Sequence, residues 1–246
     1  MPMALPDTLQ HPNLWQGRRR SMRQASVSSG LRQLDTLLPD GGWPLGALCE
    51  LLVARSGIGE LSLLLPLLAQ TSSNGGWMIL IDPPWLPYVP AMQGHGLDLT
   101  RLLLVQTRSA EESLWACEQA LRGVRGGVVL GWLQGARQQP AFTQLRRLQL
   151  AARHGQKAAF LFRDHQVAGQ ATPASLRLHL EADAQRLKLT LLKGRGAHSG
   201  QSLRLRRDHL SLTGITPSLT PFSAEPAGQT GASRPSFPMQ PMSAAP

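Results

Sequence analysis

The chain has 246 residues, 42% of them apolar, and 25 Lys and Arg against 15 Asp and Glu give it a net charge of +10. It contains no apolar run near the roughly 18 residues of a membrane span, and no secretory signal. We therefore expect a cytoplasmic protein with one globular domain and no membrane association. The basic excess favours anionic partners, nucleic acid first, unless it reflects only an arginine-rich proteome.

Residues 1–28 are predicted to form an arm with a short helix and a basic run. In "HPNLWQGRRR" an apolar pair precedes a cationic rim, and the residues concerned are Leu14, Trp15, Arg18, Arg19 and Arg20. Because interfaces combine an apolar centre with a polar rim, the arm is a candidate surface for a partner or for self-association. The alternative is an arm that folds on its own domain or stays loose.

Residues 29–212 alternate strand-like and helix-like segments. In chain order, the first predicted strand is "LCELLVA", followed by a helix over residues 60–70 with a kink at Pro66. Further predicted strands are "GWMILID", "RLLLVQT", "GGVVLGWL" and "KAAFLFR". Between them lie a short helix or turn at "PYVPAMQGHG" and two helices, "AEESLWACEQALR" and "PAFTQLRRLQLAARHG".

The last three segments, "SLRLHLEA", "RLKLTLLKG" and "QSLRLRR", alternate apolar and polar residues with period two. This pattern predicts antiparallel strands with one wet face. The fold class is therefore α/β, with a mostly parallel central sheet extended by antiparallel strands. Residues 213–246 are rich in Pro, Ser, Gly and Ala, and they are predicted to form a disordered tail.

Residues 53–65, "VARSGIGELSLLL", have the outline of a phosphate-binding loop between a strand and a helix. Such a loop directs backbone amides at an anion, a Lys adds positive charge, and Ser or Thr holds Mg²⁺. Here Ala54 replaces the first Gly, Glu60 the Lys and Leu61 the Ser or Thr. We expect Glu60 to use the dipole of the following helix and to repel a phosphate by about 4 kcal/mol at ~4 Å.

The sequence thus predicts a degenerate phosphate loop without a nucleotide cofactor, formed by Ala54, Gly57, Gly59, Glu60 and Leu61. In this interpretation the two glycines form only a tight turn, and weak anion binding is the alternative. The seven His and two Cys show no ligand spacing, so no metal site is expected. Cys49 and Cys117 lie in apolar patterns and are predicted to be buried free thiols.

The stretch "SSGLRQLDTLLPDGGWPLGALCELLVARSGIGE" resembles the start of the RecA-type recombinase core. The resemblance is carried by Gly30, Leu34, Asp35, Gly41, Gly42, Pro44 and Gly46. It extends over residues 28–212 and implies a RecA-like P-loop NTPase core. Three later stretches are similar to the ImuA family of RecA-like accessory proteins of the bacterial mutasome, namely "PPWLPYVPAMQGHGLDLTRLLLVQ", "SLWACEQALR" and "LQLAARHG".

The resemblance implies that the catalytic groups of recombinases are missing. Pro84 stands where they have the Glu that activates water, and Gly131 stands where they have a metal-supporting Asp. The implied role is a non-enzymatic adaptor of the SOS mutasome in error-prone translesion DNA synthesis. The implied partners are RecA, an inactive Y-family polymerase-like protein of the ImuB type and, indirectly, an error-prone C-family polymerase.

Lys193 and Arg195, in "LLKGR", match the recombinase Lys-x-Lys that reaches across a subunit interface to the neighbour's ATP. One interpretation is that they bind or cap the end of a RecA filament. The other is that they are two solvated charges at a strand end.

Candidate nucleic-acid contacts are Arg163, Arg204, Arg206 and Arg207. The segments at the positions of the two recombinase DNA loops, "RDHQVAGQATPAS" and "QGARQQP", are short and carry few cations. We therefore expect weak, salt-sensitive DNA contact through the basic strands and no independent recombinase activity. Trp43, Trp85, Trp115 and Trp132 are interpreted as packing residues and not as base-stacking platforms.

Two other functions remain open. "ALRGVRGGVVLGWL" is also similar to the SulA-type cell-division inhibitors, which bind the tubulin-like GTPase FtsZ. Those proteins generally lack the front segment "LDTLLPDGGWPLG", which this chain has. The third reading is a working RecA-like ATPase, which an ATP turnover assay would test.

Overall fold

The computed structural model of the chain describes residues 24–123, 126–133, 139–194 and 199–206. Several predicted features lie outside these ranges. They are the arm residues Leu14, Trp15, Arg18, Arg19 and Arg20, the cations Arg195 and Arg207, and the tail over residues 213–246.

The framework of the fold is an eight-stranded sheet with the order β10-β9-β8-β3-β7-β6-β4-β5, next to a two-stranded sheet of β1 and β2. The strands are β1 (Ser26–Val27), β2 (Trp43–Pro44), β3 (Ala47–Val53), β4 (Met78–Ile81), β5 (Leu102–Val105), β6 (Val128–Trp132), β7 (Ala158–Asp164), β8 (Leu176–Ala182), β9 (Arg186–Lys193) and β10 (Ser202–Arg206).

The helices connect these strands. They are α1 (Arg32–Leu37), α2 (Leu65–Ser73), α3 (Val89–Gly94), α4 (Ala110–Arg122) and α5 (Phe142–Gly155), with short 3₁₀ turns at Pro39–Gly41, Leu99–Arg101 and His165–Gly169. Within the described ranges, no helix is both long enough and apolar enough to cross a bilayer.

The predicted fold class is confirmed by the strand pairing. β8, β3, β7, β6, β4 and β5 pair in parallel, whereas β9 runs antiparallel to β8 and β10 antiparallel to β9. The parallel strands β3 and β6 are buried along their whole length, which explains why their sequences are apolar except for Glu50 of β3. On β9, Leu187, Leu189 and Leu191 are buried and the residues between them are not, as the period of two predicts.

Apolar side chains fill both faces of the sheet. On one face, Leu51 of β3 and Phe160 of β7 belong to a core cluster that includes leucines of α1 and α2. On the other face, Leu48 of β3 belongs to a second cluster with residues of α4 and α5. Successive side chains of a strand point to opposite faces, so β3 contributes to both layers.

The helix after β3 begins later than predicted. α2 starts at Leu65, and residues 60–64 form turns in which the amide of Leu64 donates to the carbonyl of Leu61 at 2.9 Å. Pro66 lies in the first helical turn, where its missing amide has no intrahelical partner to lose, so the predicted kink is wrong. The positive end of the α2 dipole therefore does not begin at Glu60, contrary to the expectation above.

Candidate functional site

The carboxyl ends of β3, β4 and β6 meet at one edge of the sheet, where parallel α/β sheets bind their ligands. A cleft of about 300 Å³ lies there. It is lined by Gly57, Gly59, Glu60, Leu61, Ser62, Pro83, Pro84, Trp85, Leu86, Pro87 and Trp132. Three connections therefore build the candidate site: the loop after β3, the proline-rich segment after β4, and the end of β6.

In the loop after β3, residues 54–64, backbone amides donate to a carboxylate side chain of the same loop. The amide of Gly57 donates to Glu60 Oε1 and the amide of Ile58 donates to Glu60 Oε2, each at 2.8 Å. Gly57 and Gly59 have φ values of 83° and 102°, which favour glycine, so a tight turn is present as predicted. Glu60 is only 5% exposed, and its carboxylate occupies the position at which the two amides point.

This arrangement disfavours a phosphate in the loop. A phosphate oxygen would have to displace hydrogen bonds to a carboxylate, which are worth roughly 1.5–3 kcal/mol each. If the carboxylate stayed, two like charges ~4 Å apart at an effective dielectric of about 20 would repel by about 4 kcal/mol. The loop geometry therefore indicates a turn whose backbone amides already bind the Glu60 carboxylate.

Gly131 of β6 lies against Cys117 of α4. A Cβ atom at this position would be 2.7 Å from Cys117 Sγ and 3.1 Å from Leu161 Cδ2. Contacts under 3.0 Å require the neighbours to move, so the position has no room for a carboxylate side chain. Position 131 is thus a packing site between β6 and α4.

Asp82 lies directly after β4, next to the cleft residue Pro83, and its role is not apparent from the sequence. Its carboxylate accepts the amide of Thr107 at 2.6 Å and the Thr107 hydroxyl at 2.7 Å. Its position at the end of a buried strand was a usable signal. Both carboxylate oxygens have partners on the segment that follows β5, so Asp82 ties two strand ends together.

The segment after β4 exposes large apolar side chains beside the cleft. Trp85, Leu86 and Tyr88 are 74%, 75% and 65% exposed, and we refer to these three residues as the apolar rim. Pro83, Pro84 and Pro87 restrict the backbone around them. Contiguous exposed apolar residues are typical of binding surfaces.

The prediction that the tryptophans pack is confirmed for two of them. Trp43 is buried edge-on against Phe160, with ring centroids 5.1 Å apart, and Trp132 stacks on Phe162 at 4.5 Å. It is wrong for Trp85 and for Trp115 of α4, because the Trp115 side chain is also 63% exposed. Local apolar pattern alone does not reveal which tryptophans have a neighbour to cover them.

Arg163 of β7 is fully buried, so its prediction as a nucleic-acid contact is wrong. Arg163 Nη1 donates to Glu50 Oε1 at 2.8 Å, and Arg177 Nε donates to Glu50 Oε2 at 2.7 Å. Arg177 also donates to three carbonyls of the segment after β7, those of Val167, Ala168 and Gln170. The acid inside the apolar stretch "LCELLVA" was the missed signal, because a buried carboxylate requires partners.

Lys193 ends β9 and is exposed. Its ammonium donates to the carbonyl of Thr172 at 2.7 Å. Arg195 lies outside the described residues, so the pair as a filament contact stays a prediction. Arg204 and Arg206 are exposed on β10.

Cys49 of β3 and Cys117 of α4 are both buried free thiols, as predicted. Burial raises the pKa of Cys117 to about 12, and the nearby charge of Asp82 adds to the effect. Burial, followed by the charge of Glu50, likewise raises the pKa of Cys49. Because the thiolate is the reactive form, neither cysteine is suited to nucleophilic chemistry.

Together, fold and cleft define an α/β protein whose β3–α2 loop is filled by its own carboxylate. Over residues 46–159, from just before β3 into β7, the chain matches the family model described as cell division inhibitor SulA. It is 35% identical over 104 residues to the SulA of Edwardsiella piscicida, which covers 41% of this chain and 58% of that protein. For the SulA of Photorhabdus laumondii, the identity is 29% over 118 residues, covering 48% and 64%.

The chain is also similar to RecA. It is 28% identical over 104 residues to a plasmid RecA of Lactococcus lactis, covering 42% of this chain and 30% of that protein. The RecA of Bacillus subtilis is 30% identical over 106 residues, covering 43% and 30%. The chain thus spans less than two thirds of the length of each of these relatives.

Proposed function

We propose that this protein is a non-catalytic, RecA-like adaptor of the SOS DNA-damage response. Similarity to both RecA and SulA supports a role in that response. The observation that carries the proposal is the pairing of Glu60 with the amides of Gly57 and Ile58. In this proposal residues 54–61 form a degenerate phosphate loop in a P-loop NTPase-type core, and they bind no nucleotide.

The proposed absence of enzymatic activity is supported by the combined lack of several groups. Leu61 offers no oxygen to Mg²⁺, Pro84 no carboxylate to water, and Gly131 no room for one. ATP hydrolysis relies on positioned cations and acids for almost all of its rate enhancement. A radiolabelled ATP turnover assay with the full chain tests this point. Turnover that Glu60→Ala abolishes would contradict the proposal.

The proposed role is assembly of a cytoplasmic mutasome of the ImuA type for translesion synthesis. Its proposed partners are RecA, an ImuB-type polymerase-like protein and, indirectly, a C-family polymerase. We assign contact with the polymerase-like protein to the apolar rim, because exposed Trp and Tyr on a restrained backbone make effective interface anchors.

The test is co-purification of the full chain with the ImuB-type protein from DNA-damaged cells, followed by crosslink mapping. Trp85→Ala is expected to reduce recovery at least tenfold, since truncating such an anchor costs roughly 2 kcal/mol or more. Trp115→Ala is the matched control, because it removes another exposed Trp from α4. Equal recovery of wild type and Trp85→Ala would reject the apolar rim as the contact.

A second function is favoured by the match of residues 46–159 to the SulA model. A SulA-type division inhibitor would act on FtsZ and would use no nucleotide site either. The segment over residues 34–46, which those inhibitors generally lack, speaks for the adaptor. The GTPase rate of FtsZ with stoichiometric protein distinguishes the two functions. An unchanged rate excludes the inhibitor, and a suppressed rate favours it over the adaptor.

A further inference from the structure

The wet face of the β9–β10 pair carries four cations in two cross-strand pairs. In the antiparallel register, Arg204 lies opposite Lys188 and Arg206 lies opposite Arg186. Alternate residues of a strand share a face, so both pairs lie on the same face. We call this set the cationic ladder, and it consists of Arg186, Lys188, Arg204 and Arg206. Leu187, Leu189 and Leu205 point the opposite way into the core.

This register places like charges directly against one another, which destabilises a sheet. Neighbouring strands are about 4.8 Å apart, and residues i and i+2 are about 6.7 Å apart along a strand. Four cations therefore project from a patch only a few ångströms across. Arg186, Arg204 and Arg206 are exposed and Lys188 is half-buried, so the charges face solvent.

Two acids border the cationic ladder and have local partners. Glu181 of β8 accepts Lys188 Nζ at 2.7 Å, and this hydrogen bond lowers the Glu181 pKa. The Asp183 carboxylate accepts the amides of Gln185 and Arg186 in the β8–β9 turn. Glu181 lies opposite Lys188 in the β8–β9 register, and the charges of Arg186 and Arg204 further lower the pKa of Asp183, so both acids lie beside the ladder. The β10 side of the ladder, at the edge of the sheet, lies farthest from Glu181.

We propose that the cationic ladder is a binding surface for the phosphate backbone of duplex DNA, without recognition of base sequence. The proposal goes beyond the adaptor role and does not depend on it. A polyanion placed over the ladder would add to the partial neutralisation that Glu181 provides for Lys188 and that Asp183 provides for Arg186 and Arg204. Binding by cations alone releases counterions and is steeply salt-dependent.

Duplex DNA fits this surface better than a single strand does. Single-strand binding surfaces combine cations with aromatic side chains on which bases stack. Neither β9 nor β10 contains an aromatic residue. The long arginine side chains can instead reach successive phosphates, which recur on each strand every ~3.4 Å of the duplex axis.

The test is fluorescence anisotropy of a labelled duplex oligonucleotide titrated with the full chain between about 50 and 200 mM salt. The test variant is Arg204→Gln/Arg206→Gln. The matched control, Arg108→Gln/Arg146→Gln, removes the same charge from exposed positions after β5 and on α5. A thermal melt of each variant verifies folding.

We expect the slope of log affinity against log salt to become shallower by about 1.8 in the ladder variant, as for two lost phosphate contacts. The control variant is expected to keep the wild-type slope. Equal slopes in the two variants would overturn the proposal. Competition by polyglutamate as strong as that by unlabelled duplex would also overturn it, because the surface would then bind any polyanion.

Discussion

Glu60 Oε1 accepts the amide of Gly57 at 2.8 Å, three residues back along the chain. The amide therefore has a partner that belongs to the same chain and is always present. A free anion that replaced this carboxylate would lose translational and rotational entropy on binding. The same carboxylate holds the amide of Ile58. A turn that resembles an anion site in outline is therefore already satisfied by its own side chain.

We predict that Glu60→Ala lowers the free energy of unfolding by about 2 kcal/mol. The variant removes two charge-assisted hydrogen bonds. The bond from Gly57 is only partly buried and the bond from Ile58 is buried, so water replaces them incompletely. Urea denaturation measures the effect. Gln33→Ala, at an exposed position of α1, is the control and should change stability by no more than about 0.5 kcal/mol. A Glu60→Ala variant as stable as this control would show that the pairing contributes nothing.

Gly131→Ala should destabilise the protein by about 1–3 kcal/mol, the usual cost of overpacking a core. The added methyl group would lie 2.7 Å from Cys117 Sγ. Cys117→Ala should relieve part of this cost, so the double variant should lose less than the sum of the two single variants. The control is Gly169→Ala, where an added Cβ meets no atom within 4 Å. Strict additivity in the cycle would refute the close contact of β6 with α4.

Removing Glu50 should be among the most damaging single changes. Glu50→Gln leaves the buried Arg163 and Arg177 without their counter-charge, and breaking such a buried pair costs about 3–5 kcal/mol. Glu50→Gln/Arg163→Met should recover part of that loss, because one unpaired charge is removed while Arg177 keeps its three carbonyl partners. Circular dichroism melts of both variants provide the measurement. A double variant less stable than Glu50→Gln would contradict the electrostatic explanation.

Stability should fall in acid partly through Asp183. Hydrogen bonds from the amides of Gln185 and Arg186 hold the pKa of Asp183 below its ordinary value of 3.8. A depressed pKa stabilises the folded state fully above pH 3.8, and the benefit is lost as the pH falls through the lower folded value. Urea midpoints of wild type and Asp183→Asn should therefore converge in acid. A constant difference between them across this range would be inconsistent with the shift.

The fold could be read from the sequence because its apolar periodicity is strong. Continuous apolar runs mark the parallel strands, and the period of two in β9 marks the antiparallel extension. The start of α2 was misplaced because "GELSLLL" has a helical composition, while the chain first satisfies its amides in turns up to Leu65. Helix propensity does not indicate which backbone amides already have hydrogen-bond partners in a preceding turn.

The candidate site was less predictable because it depends on distant partners. The exchange of Lys and Ser or Thr for Glu60 and Leu61 is visible in the sequence, but the two hydrogen bonds of Glu60 are not. Arg163 was assigned to the surface because its partner, Glu50, lies 113 residues away along the chain. Likewise, the exposure of Trp85 depends on which residues pack against it in the fold, and the sequence alone does not show these residues.

The most direct test of the proposal that Glu60 closes the loop to nucleotide is a calorimetric titration of the full chain with ATP and magnesium. We predict no saturable binding, with any dissociation constant weaker than about 1 mM, or −4.1 kcal/mol. Glu60→Ala should be measured alongside, because it frees the amides of Gly57 and Ile58. A saturable wild-type isotherm in the micromolar range that Glu60→Ala weakens would contradict the proposal that Glu60 closes the loop to nucleotide.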